Sequence, residues 1–109
     1  MSLLKGYAND LPLKSWLEDY IWPAEKKHVS ESFVKDGSLV AIAEMIKSGT
    51  TTFNDMYFHP NETAEAAVEM GIRANIGLVV MEFPTNYASD PEDYLKKGFD
   101  FRDKWRDEE

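Results

Sequence analysis

The chain has 109 residues, the length of one ordinary domain, with 43% hydrophobic residues and a formal net charge of -8. This length is enough to bury a single core, and the acidic balance argues against nucleic acid or an anionic membrane as a partner. No stretch is long and apolar enough to cross a bilayer, and the N-terminus lacks the pattern of a secretory signal. We therefore expect a cytoplasmic protein that does not bind a membrane. The absence of cysteine excludes disulfides and thiolate metal ligands.

Two helices are predicted in the first half of the chain. Asp10 is the predicted N-cap of a short amphipathic helix that Pro23 is expected to end. A longer helix is predicted to begin at Ser30-Glu31 and to end at Gly49. Its second half, from Leu39 to Ile46, is mostly apolar. Such a helix packs against more than one neighbour, as helices on a sheet do.

The second half alternates strand and helix. Thr50 to Met56 is rich in residues that favour a strand, and Asn61 is the predicted cap of a helix that closes at Gly71. Arg73 to Val80 is predicted as a second strand, and its apolar tail is typical of a strand buried on both faces. Asp90-Pro91 is a strong start signal for the last helix.

The order helix, helix, strand, helix, strand, helix predicts an α/β fold with parallel pairing through right-handed crossovers. Two parallel strands alone would leave edges with unpaired N–H and C=O groups. We therefore expect residues 1–109 to form a single segment of a larger strand-helix architecture, or copies of the chain to cover each other's edges as a homo-oligomer.

The carboxyl ends of parallel strands are where ligands bind in α/β architectures. Asp55 lies at the end of the first predicted strand and His59 shortly after it, and the two could be an acid-base pair or two metal ligands. The alternative, in which Asp55 anchors a loop and His59 lines a turn, is favoured because no third ligand lies nearby. His28 is interpreted as a surface histidine without a role.

Glu25 lies close in sequence to Trp16, Tyr20 and Trp22, and Ala24 separates it from the Trp22-Pro23 pair. A carboxylate beside aromatic rings suits a ligand with sugar hydroxyls and a flat ring, although core packing explains the aromatic residues equally well. The sequence has no glycine-rich phosphate loop, no Gly-x-Ser-x-Gly and no His-Glu-x-x-His motif.

Several linked stretches resemble the amidohydrolase superfamily, and more narrowly the 5-methylthioadenosine/S-adenosylhomocysteine deaminase or chlorohydrolase-like branch. These stretches are Leu3 to Leu13, Trp16-Leu17, Ile21 to Glu25, Ala41 to Lys47, Ser48 to Thr51, Phe53 to Phe58 and Gly71 to Ala74. The resemblance covers nearly the whole chain, and several motifs in the same order are a more specific signal than any one of them.

The resemblance implies a partial (β/α)8 barrel of the TIM type, to which this chain contributes the first helices and the second and third strands. It implies a parent enzyme in which zinc or a similar divalent ion activates water to deaminate a purine nucleoside. In the family a His-x-His pair precedes a methionine that matches Met1, and the other ligands lie on later strands. We therefore expect no metal ligand in this chain and no activity from it alone.

The resemblance also implies substrate-binding residues. Glu25 matches a glutamate that hydrogen-bonds the ribose hydroxyls, and Trp16 matches a tryptophan of the same wall. Some relatives have an arginine for the homocysteine carboxylate where this chain has Leu78-Val79-Val80, which puts S-adenosylhomocysteine in doubt as a substrate. The leading hypothesis is a fragment of a nucleoside deaminase, and the alternative is a non-catalytic, self-associating α/β module.

Overall fold

The N-terminal third is helical beyond the proline that was expected to end its first helix. The computed structural model describes residues 2–107, so Met1 lies outside the described part. Helix α1 (Leu13–Ser15) runs into a π-helical turn (Trp16–Ile21) and then into α2 (Trp22–His28). Pro23 lies in the first turn of α2, where its missing N–H is tolerated, so the predicted stop was wrong. The predicted cap Asp10 was also wrong, because Pro12 precedes α1 and Asp10 has a φ of 63°.

Helix α3 (Glu31–Lys47) follows the prediction. The Ser30 side chain accepts a hydrogen bond from the Phe33 N–H at 3.2 Å, which caps the first turn. The chain leaves the helix through Gly49, whose φ of 85° is accessible at little cost only to glycine.

Two parallel strands, β1 (Thr52–Met56) and β2 (Arg73–Gly77), pair in register from Thr52 opposite Arg73 to Met56 opposite Gly77. Helix α4 (Pro60–Met70) connects them and ends at Gly71. The predicted parallel pairing is confirmed. Strand β2 stops at Gly77 rather than Val80, and its first three residues are exposed, so it is not buried on both faces by residues 2–107.

The cap predicted at Asn61 was wrong. His59 precedes α4 with a φ of 52°, and Pro60 begins the helix. The Asn61 side chain instead accepts a hydrogen bond from the indole N–H of Trp105 at 2.8 Å. Asn61 therefore ties α4 to the last helix, α5 (Pro91–Trp105).

The main core lies where α3 and α4 pack together against the sheet. Its buried centre consists of Ile42, Ala66, Ala67 and Ile72, with Phe53 of β1 packed against it. A second buried cluster, Val29, Val34 and Phe58, lies at the end of β1. In the described part of the chain no helix is long and apolar enough to span a membrane.

Helix α5 begins at the predicted cap, because the Asp90 carboxylate accepts the Asp93 N–H at 2.9 Å. Its buried face carries Tyr94, Gly98 and Phe101. A Cβ placed on Gly98 would lie 3.1 Å from Leu78 Cδ1, so Leu78 would have to shift by a few tenths of an ångström to admit a side chain at this position.

Replacing Asp90 by alanine is expected to destabilise the chain near neutral pH and to have progressively less effect in acid. The Asp93 N–H and the Ser89 hydroxyl donate to this carboxylate and lower its pKa. A lowered folded-state pKa contributes stability above the unfolded-state pKa, and that stability is lost as pH falls through the folded-state value. Urea unfolding at a series of pH values measures the difference.

The matched control is Asp100→Ala on the exposed face of the same helix. We expect it to show no comparable cap-dependent loss. A destabilisation by Asp90→Ala that stayed constant down to strongly acidic pH would contradict the capping account.

Candidate functional site

A pocket of about 660 Å³ opens at the carboxyl ends of the two strands. Three parts of the chain enclose it: the π turn with α2, the residues that follow β1, and the segment that follows β2. Their contributions include Leu17, Trp22, Glu25, Tyr57, Met81 and Phe83. The pocket therefore lies at the edge where ligands bind in parallel α/β architectures.

The polar centre of the pocket is a pair of side chains from distant parts of the chain. The Tyr57 hydroxyl donates a hydrogen bond to Glu25 Oε1 at 2.6 Å. Burial, together with this bond to the Glu25 carboxylate, raises the pKa of the Tyr57 phenol far above its usual value. The phenol therefore stays neutral and remains a donor throughout the physiological pH range.

The walls of the pocket are largely apolar. The Trp22 and Phe83 rings have centroids 6.2 Å apart and planes tilted by 53°, and they remain 45% and 50% exposed. Val79 and Met81 line the same wall as Phe83. An apolar cleft with one carboxylate suits a flat ligand that carries a few polar groups.

The loop after β2 is held onto α2 by Asn86. Its side-chain amide donates to the Lys26 carbonyl at 2.9 Å and to the Val29 carbonyl at 3.1 Å. Carbonyls at the end of a helix lack partners within the helix, so these bonds satisfy the last carbonyls of α2. They also hold the loop after β2 against α2 at the rim of the pocket. The same loop is also anchored to α5, because Thr85 and Tyr94 share a hydrogen bond of 2.6 Å.

The structure separates the residues that the sequence grouped around Glu25. Trp22 lines the pocket with Glu25, whereas Tyr20 packs against Tyr7 with ring centroids 6.3 Å apart. Trp16 is half-buried in the π turn, and Leu17 rather than Trp16 is among the residues that line the pocket. The binding role of Trp16 stays a prediction.

The residues of the alternative metal site have other contacts. Asp55 accepts a hydrogen bond from the Thr63 hydroxyl at 3.3 Å, and the His59 ring packs against Tyr87 at 5.3 Å. Burial lowers the pKa of His59, which favours the neutral imidazole. Within residues 2–107, no three His, Asp or Glu side chains converge in a way that could hold a metal ion. His28 is exposed at the end of α2.

Two contributors to this pocket, Tyr57 and Asn86, had no role predicted from the sequence. Tyr57 stands among the residues directly after β1, where ligands are expected, but nothing in the sequence pairs it with Glu25, 32 positions earlier. Asn86 lies two residues after Pro84, where the sequence predicts an ordinary loop. Its two hydrogen bonds to the end of α2 depend entirely on the tertiary fold.

A sequence model of the amidohydrolase family matches residues 1–108, and the chain belongs to this family. The predicted family resemblance is thereby confirmed. The α/β arrangement of two parallel strands and their helices matches part of a known member of the family. A zinc-bound adenosine deaminase from Xanthomonas campestris superimposes with a TM-score of 0.95 at 42% identity, over 98% of this chain and 24% of that one.

Curated relatives are similar over 71% to 100% of this chain. A 5-methylthioadenosine/S-adenosylhomocysteine deaminase from Saccharophagus degradans is 54% identical over 106 residues, and one from Thermodesulfovibrio yellowstonii is 50% identical over 109. A 5'-deoxyadenosine deaminase from Methanosphaera stadtmanae is 57% identical over 77 residues, or 71% of this chain and 18% of the relative. The chain spans about a quarter of the length of the first two relatives, with 24% and 25% coverage.

Proposed function

We propose that this chain forms part of the nucleoside-binding wall of a metal-dependent hydrolase that deaminates a purine nucleoside such as methylthioadenosine, and that the chain alone is inactive. The observation that carries the proposal is the Glu25 carboxylate in an apolar pocket at the strand ends. Similarity to the deaminases of Saccharophagus degradans and Xanthomonas campestris supports the reaction class.

The pocket offers the two kinds of contact that a nucleoside requires. A carboxylate accepts several hydrogen bonds, and the 2'- and 3'-hydroxyls of ribose are neighbouring donors. The Trp22 and Phe83 rings offer apolar surface to a flat base or to the sugar's apolar face. We assign the ribose contact to Glu25, and Trp16 is proposed to support the same wall from the π turn.

The apolar wall favours a small uncharged group at the 5' position of the nucleoside. The family resemblance places an arginine for a substrate carboxylate in some relatives where this chain has Leu78-Val79-Val80. Val79 lines the pocket of this chain, as do the apolar side chains of Met81 and Phe83. Lys26, which is exposed, is the cation among the described lining residues. We therefore propose that a methylthio or deoxy group is preferred to the amino acid part of S-adenosylhomocysteine.

The metal in the proposed reaction is zinc or a similar divalent ion, which would polarise a water for attack on the purine ring. The side chains described for this chain do not form the three-ligand set that a catalytic zinc site uses. The contribution derived for this chain is therefore limited to holding and orienting the nucleoside.

A chimeric deaminase tests the proposal. In it, this chain replaces the matched 106-residue segment of the Saccharophagus degradans relative. With zinc supplied, we expect the chimera to deaminate methylthioadenosine, seen as loss of the adenine absorbance, and the isolated chain to show no turnover. The unmodified relative is the positive control. A folded, zinc-loaded chimera that deaminates no purine nucleoside would refute the binding role, and turnover by the isolated chain would refute its inactivity.

A self-associating module is the second candidate, and one observation favours it. Met56, Leu78 and Val80, at or after the strand ends, are 64%, 39% and 50% exposed, and exposed apolar surface promotes association. Analytical ultracentrifugation of the isolated chain separates the candidates, because a well-folded monomer would count against this second function.

A further inference from the structure

We propose that Tyr57 is a positioning residue, which fixes the Glu25 carboxylate so that it selects nucleosides with an intact 2',3'-diol. This inference rests on the proposed nucleoside site and adds a residue to which no role had been assigned. The inference predicts that the Tyr57 hydroxyl increases the preference for nucleosides with a 2',3'-diol over nucleosides without one. The hydroxyl need not contact the ligand itself.

The hydrogen bond joins two elements that meet only in the folded chain. Glu25 lies on α2, and Tyr57 follows β1 directly. The Tyr57 ring packs against the buried cluster of Val29, Val34 and Phe58, and its centroid lies 5.1 Å from that of Phe58. The phenol is therefore anchored by packing, while the Glu25 side chain has more rotatable bonds and is more flexible. The 2.6 Å bond transfers the rigidity of the strand end to that carboxylate.

The carboxylate retains capacity for a ligand after it has bound Tyr57. An ionised carboxylate offers about four acceptor positions on its two oxygens. Within residues 2–107, Tyr57 is the one group that donates a hydrogen bond to this carboxylate. The remaining positions can accept the two hydroxyls of a ribose, and a fixed carboxylate loses less conformational entropy when it does so.

The test replaces Tyr57 by phenylalanine in the chimeric deaminase, which removes one oxygen and keeps the ring that packs on the core. We expect KM for methylthioadenosine to rise about tenfold, because a carboxylate that Tyr57 no longer fixes must be ordered when the ribose binds. The inhibition constant of its 2',3'-dideoxy analogue should not change, because that analogue has no diol to present. Tyr7→Phe, at an exposed ring outside the pocket, is the matched control.

If Tyr57 had a purely structural role, Tyr57→Phe would weaken the binding of methylthioadenosine and of its dideoxy analogue equally. That outcome would overturn the proposal. In a Glu25→Ala background, where residue 25 has no side-chain oxygen for Tyr57 to hold, Tyr57→Phe should have no further effect on the preference for the diol. If the unmutated chimera shows no preference for the diol, the proposed ribose contact fails and the positioning role fails with it.

The hydrogen bond itself is tested separately in the isolated chain by ultraviolet titration of its tyrosines. We expect one phenol that resists ionisation in alkali, and it should be absent in Tyr57→Phe and ionise more readily in Glu25→Gln. A Glu25→Gln chain with an unchanged tyrosine titration would refute the Tyr57–Glu25 bond whatever the fate of the proposed function.

Discussion

Replacing Glu25 by glutamine is expected to lower kcat/KM of the chimeric deaminase for methylthioadenosine by about a hundredfold. Hydrogen bonds to a charged acceptor contribute roughly 1.5–3 kcal/mol each, and a factor of ten corresponds to about 1.4 kcal/mol. Glutamine keeps the size of the side chain and an oxygen for Tyr57, so the change removes mainly the charge. Steady-state kinetics with zinc-loaded protein measures the loss.

Two controls show whether the loss belongs to the ribose contact. Glu18→Gln makes the same chemical change on the exposed side of the π turn, and kcat/KM should be unaffected. The 2',3'-dideoxy analogue should bind the Glu25→Gln and unmutated chimeras equally well. Equal losses with the diol and dideoxy compounds would show that Glu25 supports the pocket without contacting the ribose.

Replacing Ile42 by alanine is expected to destabilise the chain by about 3 kcal/mol, because removing a buried isoleucine side chain leaves a cavity as well as losing apolar burial. Ile42 is 1% exposed in the core between α3 and α4, where it packs with Ala66, Ala67 and Ile72. A domain of this size has a total stability of roughly 5–15 kcal/mol, so much of the margin would be lost. Urea unfolding followed by circular dichroism measures the change.

Ile46→Ala is the matched control, since it is the same substitution one turn further along α3 at a side chain that is 45% exposed. We expect it to cost less than about 1 kcal/mol, as is usual for surface positions. Similar losses for the two variants would mean that the core does not lie between α3 and α4.

The sequence predicts the fold well where a local signal has a single physical cause. Ser30 and Asp90 provide side-chain oxygens for free N–H groups, and Gly49 and Gly71 take the positive φ that ends a helix. Each of these boundaries was predicted from one or two residues. Their positions in the structure depend on neighbours in the chain, which a sequence displays directly.

The failures occur where tertiary contacts override the local signal. Pro23 reads as a stop, yet the π turn before it allows the helix to continue with the proline in its first turn. Asn61 reads as a cap, yet it accepts a bond from Trp105, 44 positions away. The apolar run after β2 reads as a buried strand, yet Leu78 leaves the ladder to pack over Gly98.

In the candidate site, likewise, some residues could be predicted from the sequence and others could not. Glu25 was predicted as a binding residue from its Trp-Pro context and from the family resemblance, and the structure places it in the pocket. Its partner Tyr57 and the loop anchor Asn86 act through contacts that span 32 and 57 to 60 positions. No periodicity or motif in one sequence reveals such pairs, because they exist only once the strand and helix have packed.

The distance between Glu25 and a bound sugar is the most direct measure of the central claim. It can be measured in a crystal structure of the zinc-loaded chimeric deaminase with methylthioadenosine or its deaminated product. We predict that both ribose hydroxyls lie about 2.5–2.8 Å from the Glu25 carboxylate oxygens, with Tyr57 still bonded to Oε1. A ribose bound away from Glu25, with its hydroxyls held by other groups, would contradict the account.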